Sequence, residues 1–172
     1  MPRKPIVARV DAGRGGGEPP PRAELREALA RWASGVAVVA TRQDDAVTAL
    51  TVSAFMAVSL EPPLIAVALG EQAPLTALLE EGSRFGVSIL AADQRRSAGV
   101  FADSFAVDAS GFAAVGDPLL EGALAGLGCR VAAVHVVGDH RLVLGAVDAV
   151  RLGRGSPLIY FDRRYVRLEE SH

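Results

Sequence analysis

Apolar runs separated by short polar breaks divide the chain into segments with two different periods. A helical spacing appears at residues 23–33, where Leu25, Ala28, Leu29 and Trp32 fall on one face and Ser34-Gly35 ends the pattern. Two shorter helices are predicted at residues 74–81, with Gly82 as the stop, and at residues 94–101, with Asp93 as the cap. The remaining apolar segments lack this spacing.

Those remaining segments have the composition and length of β-strands. They are rich in Val, Ile and Leu and are bounded by turn residues. Strands are predicted at residues 36–41, 46–53, 64–69, 85–90, 129–137, 141–152, 158–161 and 165–167. Many strands with few helices favour a small antiparallel barrel over a doubly wound α/β sheet.

Residues 51–63 (Thr-Val-Ser-Ala-Phe-Met-Ala-Val-Ser-Leu-Glu-Pro-Pro) depart from an ordinary strand pattern. β-Branched residues begin the segment, small and hydroxyl residues interrupt it, and a double proline stops it. Small residues at a strand end let a flat ligand with polar edges approach the backbone. Their hydroxyls can hydrogen-bond a phosphate. The residues alone leave a second interpretation open, an ordinary Ser/Thr-rich strand end and turn.

Composition narrows the class of protein. The 172 residues suffice for one domain, and the net charge of −2 argues against a nucleic-acid partner. Cys129 is the sole cysteine and is expected to be a small buried hydrophobe. Three dispersed histidines lack metal-ligand spacing, so no metal is expected. With neither a membrane-spanning apolar run nor a signal-peptide core in the sequence, a cytoplasmic protein without a membrane partner is predicted.

The first residues differ from the rest of the chain. Residues 1–22 are rich in Gly and Pro and are predicted to form a flexible arm. Residues 23–172 are predicted to form the folded domain.

The 51–63 segment resembles the flavin-contacting segment of the short flavin reductases, the reductase partners of two-component flavin monooxygenases. Their pattern is roughly T-V-S-(S/A)-F-x-(S/A)-V-S-x-x-P-P. Further blocks of this chain resemble that family in the same order, from residue 23 to residue 168: residues 35–41, 85–90 with Asp93-Gln94, 118–124 with 129–131, Gly138-Asp139-His140 with Leu144-Gly145, and 157–160.

This resemblance implies a fold and an activity. The fold is a mostly β, FMN-binding split β-barrel of Greek-key type with a few short helices, which binds flavin across a homodimer interface. The activity is reduction of FMN or FAD by NADH or NADPH, with the reduced flavin passing to a separate monooxygenase.

The resemblance also implies which residues form the site. His140 is the candidate catalytic residue, expected near the flavin and the nicotinamide, although a histidine in a hairpin turn is more often an ordinary solvated residue. His135 is interpreted as an ordinary strand histidine. The candidate cofactor-binding residues are Ser34, Gly35, Thr51, Val52, Ser53, Ala54, Ala68, Leu69, Gly70, Gln72, Thr76 and Tyr165.

The phosphate end of the site departs from the family pattern. Ala73 and Leu75 stand where the family often has hydroxyl residues, so Thr76 or backbone N–H groups are expected to substitute. Arg84 and Arg95 are further candidates for the phosphate, or are surface charges.

Two other functions remain open at the level of sequence. The first is a flavin- or haem-binding split-barrel protein without reductase turnover. The second is an enzyme like pyridoxamine-phosphate oxidase, which the Gly-Asp-His block and the 51–55 segment fit less well.

Overall fold

Ten strands and three helices make up the part of the chain that the computed structural model describes, residues 18–103, 110–114 and 116–168. In chain order the elements are α1 (Arg22–Ala30), β1 (Ser34–Gly35), β2 (Ala37–Gln43), β3 (Ala46–Val52), β4 (Phe55–Leu60), β5 (Pro63–Gly70), α2 (Pro74–Leu78), β6 (Arg84–Ile89), α3 (Arg95–Asp103), β7 (Ala125–Val137), β8 (His140–Leu152), β9 (Ile159–Phe161) and β10 (Arg164–Val166). Residues 1–17 of the predicted arm, and residues 104–109, 115 and 169–172, lie outside the described residues.

The strands form two antiparallel sheets. The larger has the order β3-β2-β6-β7-β8-β5-β4, and the smaller has the order β1-β9-β10. The hairpin of β7 and β8 lies at the centre of the larger sheet, as expected from the two long apolar runs on either side of Gly138-Asp139-His140.

Two strands were missed by the sequence interpretation: β1, whose residues were expected only to end the first helix, and β4. Residues 55–60, which were expected to continue a strand end and turn, form β4 at the edge of the larger sheet. The small residues did not break the strand, because β4 pairs with the fully apolar β5 from Phe55↔Val67 to Leu60↔Pro63. An edge strand needs a partner on one side only, so its composition is less constrained.

Two hydrophobic clusters lie on opposite faces of β2. Ala37 and Val39 point into a cluster with Phe85 and Val143, whereas Val38 and Ala40 point into a second cluster beneath α3. Successive side chains of a strand point to opposite faces, so both faces of β2 are covered.

Close packing inside the larger sheet depends on Gly145 of β8. A Cβ atom at this position would lie 2.5 Å from the Cζ atom of Phe85, which is itself fully buried. Any larger residue would therefore displace a core ring. Cys129 is also buried, as predicted, and burial raises the pKa of its thiol to about 12.

An ion cluster ties β6 to its surroundings. Arg84 donates to both carboxylate oxygens of Asp117 at 2.7 and 2.6 Å, and to both oxygens of Asp148 on β8 at 2.7 and 2.8 Å. Bidentate pairs of this kind fix geometry as well as charge. Arg84 is thus used within the fold.

Candidate active site

Small side chains form a flat surface on the outward face of β5. Ala66, Ala68 and Gly70 alternate there with Val67 and Leu69, which are buried in the core. Their partners across β8 are Leu144, Leu142 and His140, respectively. We call Ala66, Ala68 and Gly70 the β5 floor; it lets a planar molecule approach the sheet backbone closely.

A cavity of about 480 Å³ opens above two residues of this floor. Its size falls within the range of small-molecule sites, roughly 300–1,000 Å³, and its lining is predominantly apolar, as such sites usually are. The lining residues come from α1, β1, the β3–β4 connection, β4, β5, β8 and β9: Leu29, Ala30, Trp32, Ser34, Ser53, Ala54, Phe55, Met56, Ala66, Ala68, Leu142 and Tyr160. We call this the main cavity.

Two smaller cavities adjoin the main cavity at Ser53, which lines all three. One, of about 230 Å³, is bordered by Val36, Thr51, Val52, Ser53, Ala102, Tyr160 and Tyr165. The other, of about 240 Å³, is bordered by Ser34, Gly35, Val36, Ala37, Ser53, Phe55 and Ile89. Eight of the predicted cofactor-binding residues are therefore brought together around Ser53.

The hydroxyl of Thr51 has a structural partner. Its Oγ1 donates to the carbonyl of Ala98 at 2.9 Å and so attaches β3 to α3. Thr51 consequently shapes the smaller cavity through α3 as well as through its own side chain.

His140 begins β8 at the turn of the long hairpin. It lies two residues from Leu142 on the same face, next to Gly70 of the β5 floor. Its side chain is half exposed and does not line the main cavity. The ring atom Nδ1 lies 2.7 Å from Oδ1 of Asp139, and this hydrogen bond holds the pKa of Asp139 below its usual value.

Four predicted cofactor-binding residues line none of these three cavities: Leu69, Gly70, Gln72 and Thr76. The Leu69 side chain is buried in the core, and Gln72 is exposed beyond the end of β5. Thr76 is buried, and its Oγ1 donates to the carbonyl of Gly70 at 2.8 Å. Thr76 was expected to replace the missing family hydroxyls at the phosphate. Its hydroxyl proton is instead donated to a carbonyl at the end of β5.

The two arginines considered as phosphate partners, Arg84 and Arg95, differ in whether their guanidinium groups are already paired with carboxylates. The guanidinium of Arg84 is held by two carboxylates, whereas that of Arg95 lies over the ring of Tyr165, with its central carbon 5.7 Å from the ring centroid. Tyr165 lines the 230 Å³ cavity, so Arg95 lies close to the site.

Several lining residues were missed at the level of sequence: Leu29, Trp32, Phe55, Met56, Leu142 and Tyr160. Leu29 and Trp32 were assigned only to one face of a helix, and Phe55 and Met56 belong to the unpredicted β4. Tyr160 pairs with Ser34, a predicted site residue, but this strand register is known only from the folded structure and could not be found from the sequence.

Within residues 18–103, 110–114 and 116–168, no three His, Cys, Asp or Glu side chains are arranged to hold a metal ion. In the same ranges, no helix has the length and apolarity needed to cross a membrane.

Comparisons with known proteins identify the family. Residues 29–169 match the family model of the flavin reductase like domain. The chain is 45% identical over 145 residues to the reductase component of a 4-hydroxyphenylacetate 3-monooxygenase from Thermus thermophilus, covering 84% of this chain and 95% of that protein. It is 40% identical over 150 residues to an NADH-dependent flavin reductase from Rhodococcus sp, covering 84% and 85%.

A solved structure gives the same result. The flavin reductase PheA2 in its native state superposes with a TM-score of 0.81 at 32% identity, covering 87% of this chain and 99% of that one. The chain belongs to the flavin reductase family. The expected family, the mostly β split-barrel fold and the class of NAD(P)H-dependent flavin reductase are thereby confirmed.

Proposed function

We propose that the main cavity is where NADH or NADPH reduces FMN or FAD. The observation that carries this proposal is the β5 floor, because a flat aromatic ring needs a flat, sterically open surface to lie within contact distance of the backbone. Ser53 and Ala54 border the floor with further small side chains. A ring-sized, largely apolar cavity with hydroxyl groups at one edge matches the isoalloxazine group of a flavin, which is apolar on its faces and polar at its rim.

The protein groups supply orientation rather than acid–base chemistry. When bound, the flavin supplies the hydride acceptor. Ala66, Ala68 and Ala54 leave room for its ring, and the hydroxyls of Ser34 and Ser53 are available to its polar edge. Phe55, Met56 and Leu142 add apolar side chains to the lining, and the protein's main contribution is to hold the two ring systems face to face.

His140 is proposed to act at the edge of this site. From its position beside Gly70 it can offer a ring N–H or an unprotonated nitrogen to the nicotinamide or the flavin. Its hydrogen bond to Asp139 orients the imidazole, as second-sphere carboxylates commonly do.

The flavin phosphate is proposed to bind at the edge of these cavities. Arg95 offers a guanidinium beside Tyr165, and Gln72 offers an exposed amide after β5. Gly70 and Leu69 would contribute main-chain contacts there, together with Gly35, while Thr76 fixes the Gly70 carbonyl. Val52 and Thr51 would border the ribityl chain.

A homodimer is part of the proposal. All residues of α1 from Arg22 to Leu29 are exposed, including the apolar Leu25 at 47% and Leu29 at 63%. On the edge strand β4, Met56, Val58 and Leu60 are exposed as well, Leu60 at 95%. Contiguous apolar surface of this kind marks an interaction site, and a second copy covering it would also enclose the main cavity.

The proposal assigns the reduced flavin to a separate monooxygenase, because the relative from Thermus thermophilus is named as the reductase component of such an enzyme. It includes a cytoplasmic location, where nicotinamide coenzymes are available. It also treats residues 1–22 as a flexible arm on the domain of residues 23–172.

The test is NADH oxidation followed at 340 nm with the purified chain, with and without FMN, FAD or riboflavin. Flavin-dependent turnover is the expected result. Stoichiometric flavin binding without turnover would instead support the binding-only alternative.

A further inference from the structure

Trp32 is the sole tryptophan of the chain and one of its most exposed large apolar residues. The side chain is 78% exposed, yet it lines the main cavity together with Ala66 and Ala68 of the β5 floor. An indole exposed on the rim of a ligand-sized cavity offers an apolar face that a ligand or a partner can cover.

The backbone that carries Trp32 is held on both sides. Its own amide donates to the carbonyl of Leu29 at 3.1 Å, and the carbonyl of Ala30 accepts from the amide of Asp162 in the β9–β10 turn at 2.9 Å. Two residues further on, Ser34 pairs with Tyr160. The ring is thus exposed on an anchored segment rather than on a free end.

Two different kinds of side chain line the cavity. From β5 come the small side chains on which the flavin ring is proposed to lie. From α1 and the turn that follows it come Leu29 and Trp32, which are large and apolar and remain exposed at 63% and 78%. A second flat ring that enters this cavity beside the flavin therefore shares it with the indole.

We propose that Trp32 is a positioning and specificity residue for the nicotinamide, holding that ring against the flavin from the α1 side. This rests on the proposed function of the main cavity. The oxidised nicotinamide is an aromatic cation, and the face of an indole is the strongest cation–π partner among protein side chains. Oxidised nicotinamide coenzyme should consequently bind with a measurable contribution from Trp32.

The test uses the full chain saturated with FMN and titrated with NAD⁺. Because Trp32 is the only tryptophan, its emission reports on this position alone. With excitation at the red edge of the indole band, where NAD⁺ does not absorb, we expect NAD⁺ to cause saturable quenching of that emission beyond the constant quenching by the saturating FMN. Calorimetry on the same samples gives the affinities of the variants that lack tryptophan.

Three variants separate the roles of this residue. Trp32→Ala should weaken NAD⁺ binding by about tenfold while the FMN affinity changes by less than about threefold. Trp32→Phe, which keeps an aromatic face, should recover most of the loss. Leu25→Ala removes an exposed apolar side chain of α1, the helix that precedes Trp32, at a position outside the cavity, and should leave NAD⁺ affinity unchanged.

The outcomes decide the proposal. NAD⁺ affinity unchanged in Trp32→Ala would overturn it, and so would an equal loss in Leu25→Ala, since that result would assign the effect to subunit contact. Wild-type turnover with NADH and FMN alongside either result would leave the proposed function intact. Absence of FMN binding by the wild-type chain would instead overturn the proposed function itself.

Discussion

Gly70 of β5 and His140 of β8 are direct partners in the larger sheet, which brings the hairpin-turn histidine beside the small-residue surface of β5. Leu142 follows on the same face opposite Ala68, and both line the main cavity. A residue remote in sequence from the 51–63 segment is thereby positioned at the edge of the site that this segment borders.

His140→Ala should lower kcat/KM for NADH by about tenfold, about 1.4 kcal/mol of transition-state stabilisation, because a positioning hydrogen bond is lost. Flavin affinity should stay close to that of the wild type. His140→Gln, which retains donor and acceptor groups, should be the milder change. Steady-state NADH oxidation measures kcat/KM for the two variants. Equal values for the variants and the wild type would mean that His140 is an ordinary turn residue.

Ala68→Leu should weaken flavin binding by at least about tenfold, because the larger side chain occupies the floor of the main cavity. Ala77→Leu on the exposed side of α2 is the matched control and should bind flavin normally. Titration followed by flavin fluorescence measures the affinities. Unchanged binding in Ala68→Leu would show that the flavin lies elsewhere.

Thr51→Val should reduce the free energy of unfolding by about 1 kcal/mol, since the partly buried hydrogen bond to the Ala98 carbonyl is lost without a change in shape. Urea unfolding of the wild type and the variant gives the difference. Ser53→Ala, at an exposed residue of the same segment, should leave stability nearly unchanged. An unchanged free energy of unfolding in Thr51→Val would mean that the attachment of α3 does not depend on this hydrogen bond.

Asp148→Asn should destabilise the fold in a pH-dependent way. The hydrogen bonds from Arg84 hold the pKa of Asp148 below its usual value, so the charged carboxylate favours the folded state. This contribution is present above the unfolded pKa of about 3.9 and is lost as the pH falls through the lower folded pKa.

For this half-exposed pair, the difference between wild type and Asp148→Asn should be at most about 1 kcal/mol at neutral pH and should vanish in acid. Denaturant unfolding at several pH values measures it. The exposed Asp162 and Arg164 pair, with a nitrogen–oxygen distance of 3.6 Å, supplies the control variant Asp162→Asn. A difference that grows on acidification would contradict the assignment.

Leu60→Glu should convert the proposed homodimer to a monomer, because a charge would replace an almost fully exposed apolar side chain on the surface that the second copy is proposed to cover. Light scattering during size exclusion gives the mass. Glu61→Gln, the neighbouring charge change, should remain dimeric. A wild-type monomer across micromolar concentrations would rule out the dimer.

Much of the fold could be predicted from the sequence because its strands are long apolar runs with clear breaks. Residues 36–41 and 85–90 were predicted nearly to their ends, since both lie in the middle of the larger sheet and are buried. The edge strand β4 was missed because its mixed small and apolar residues have no strong strand pattern. Its extended conformation is stabilised by pairing with β5, which the local composition does not indicate.

Only those site residues that lie within one continuous sequence motif could be predicted. Ser53 and Ala54 follow from the 51–63 segment and do line the main cavity. Trp32 and Tyr160 reach the same cavity through the pairing of β1 with β9, a long-range register that no local pattern encodes. The buried hydroxyl of Thr76 likewise could not be foreseen, because its partner is the carbonyl at the end of another element.

The most direct test of the central claim is anaerobic reduction of flavin by NADH, followed as the loss of absorbance at about 450 nm, with catalytic amounts of wild type or Ala68→Leu. The account predicts rapid bleaching with the wild type and, at limiting flavin, a rate lowered by at least about tenfold with the variant. Equal bleaching by both proteins would contradict the assignment of the β5 floor as the place where flavin is reduced.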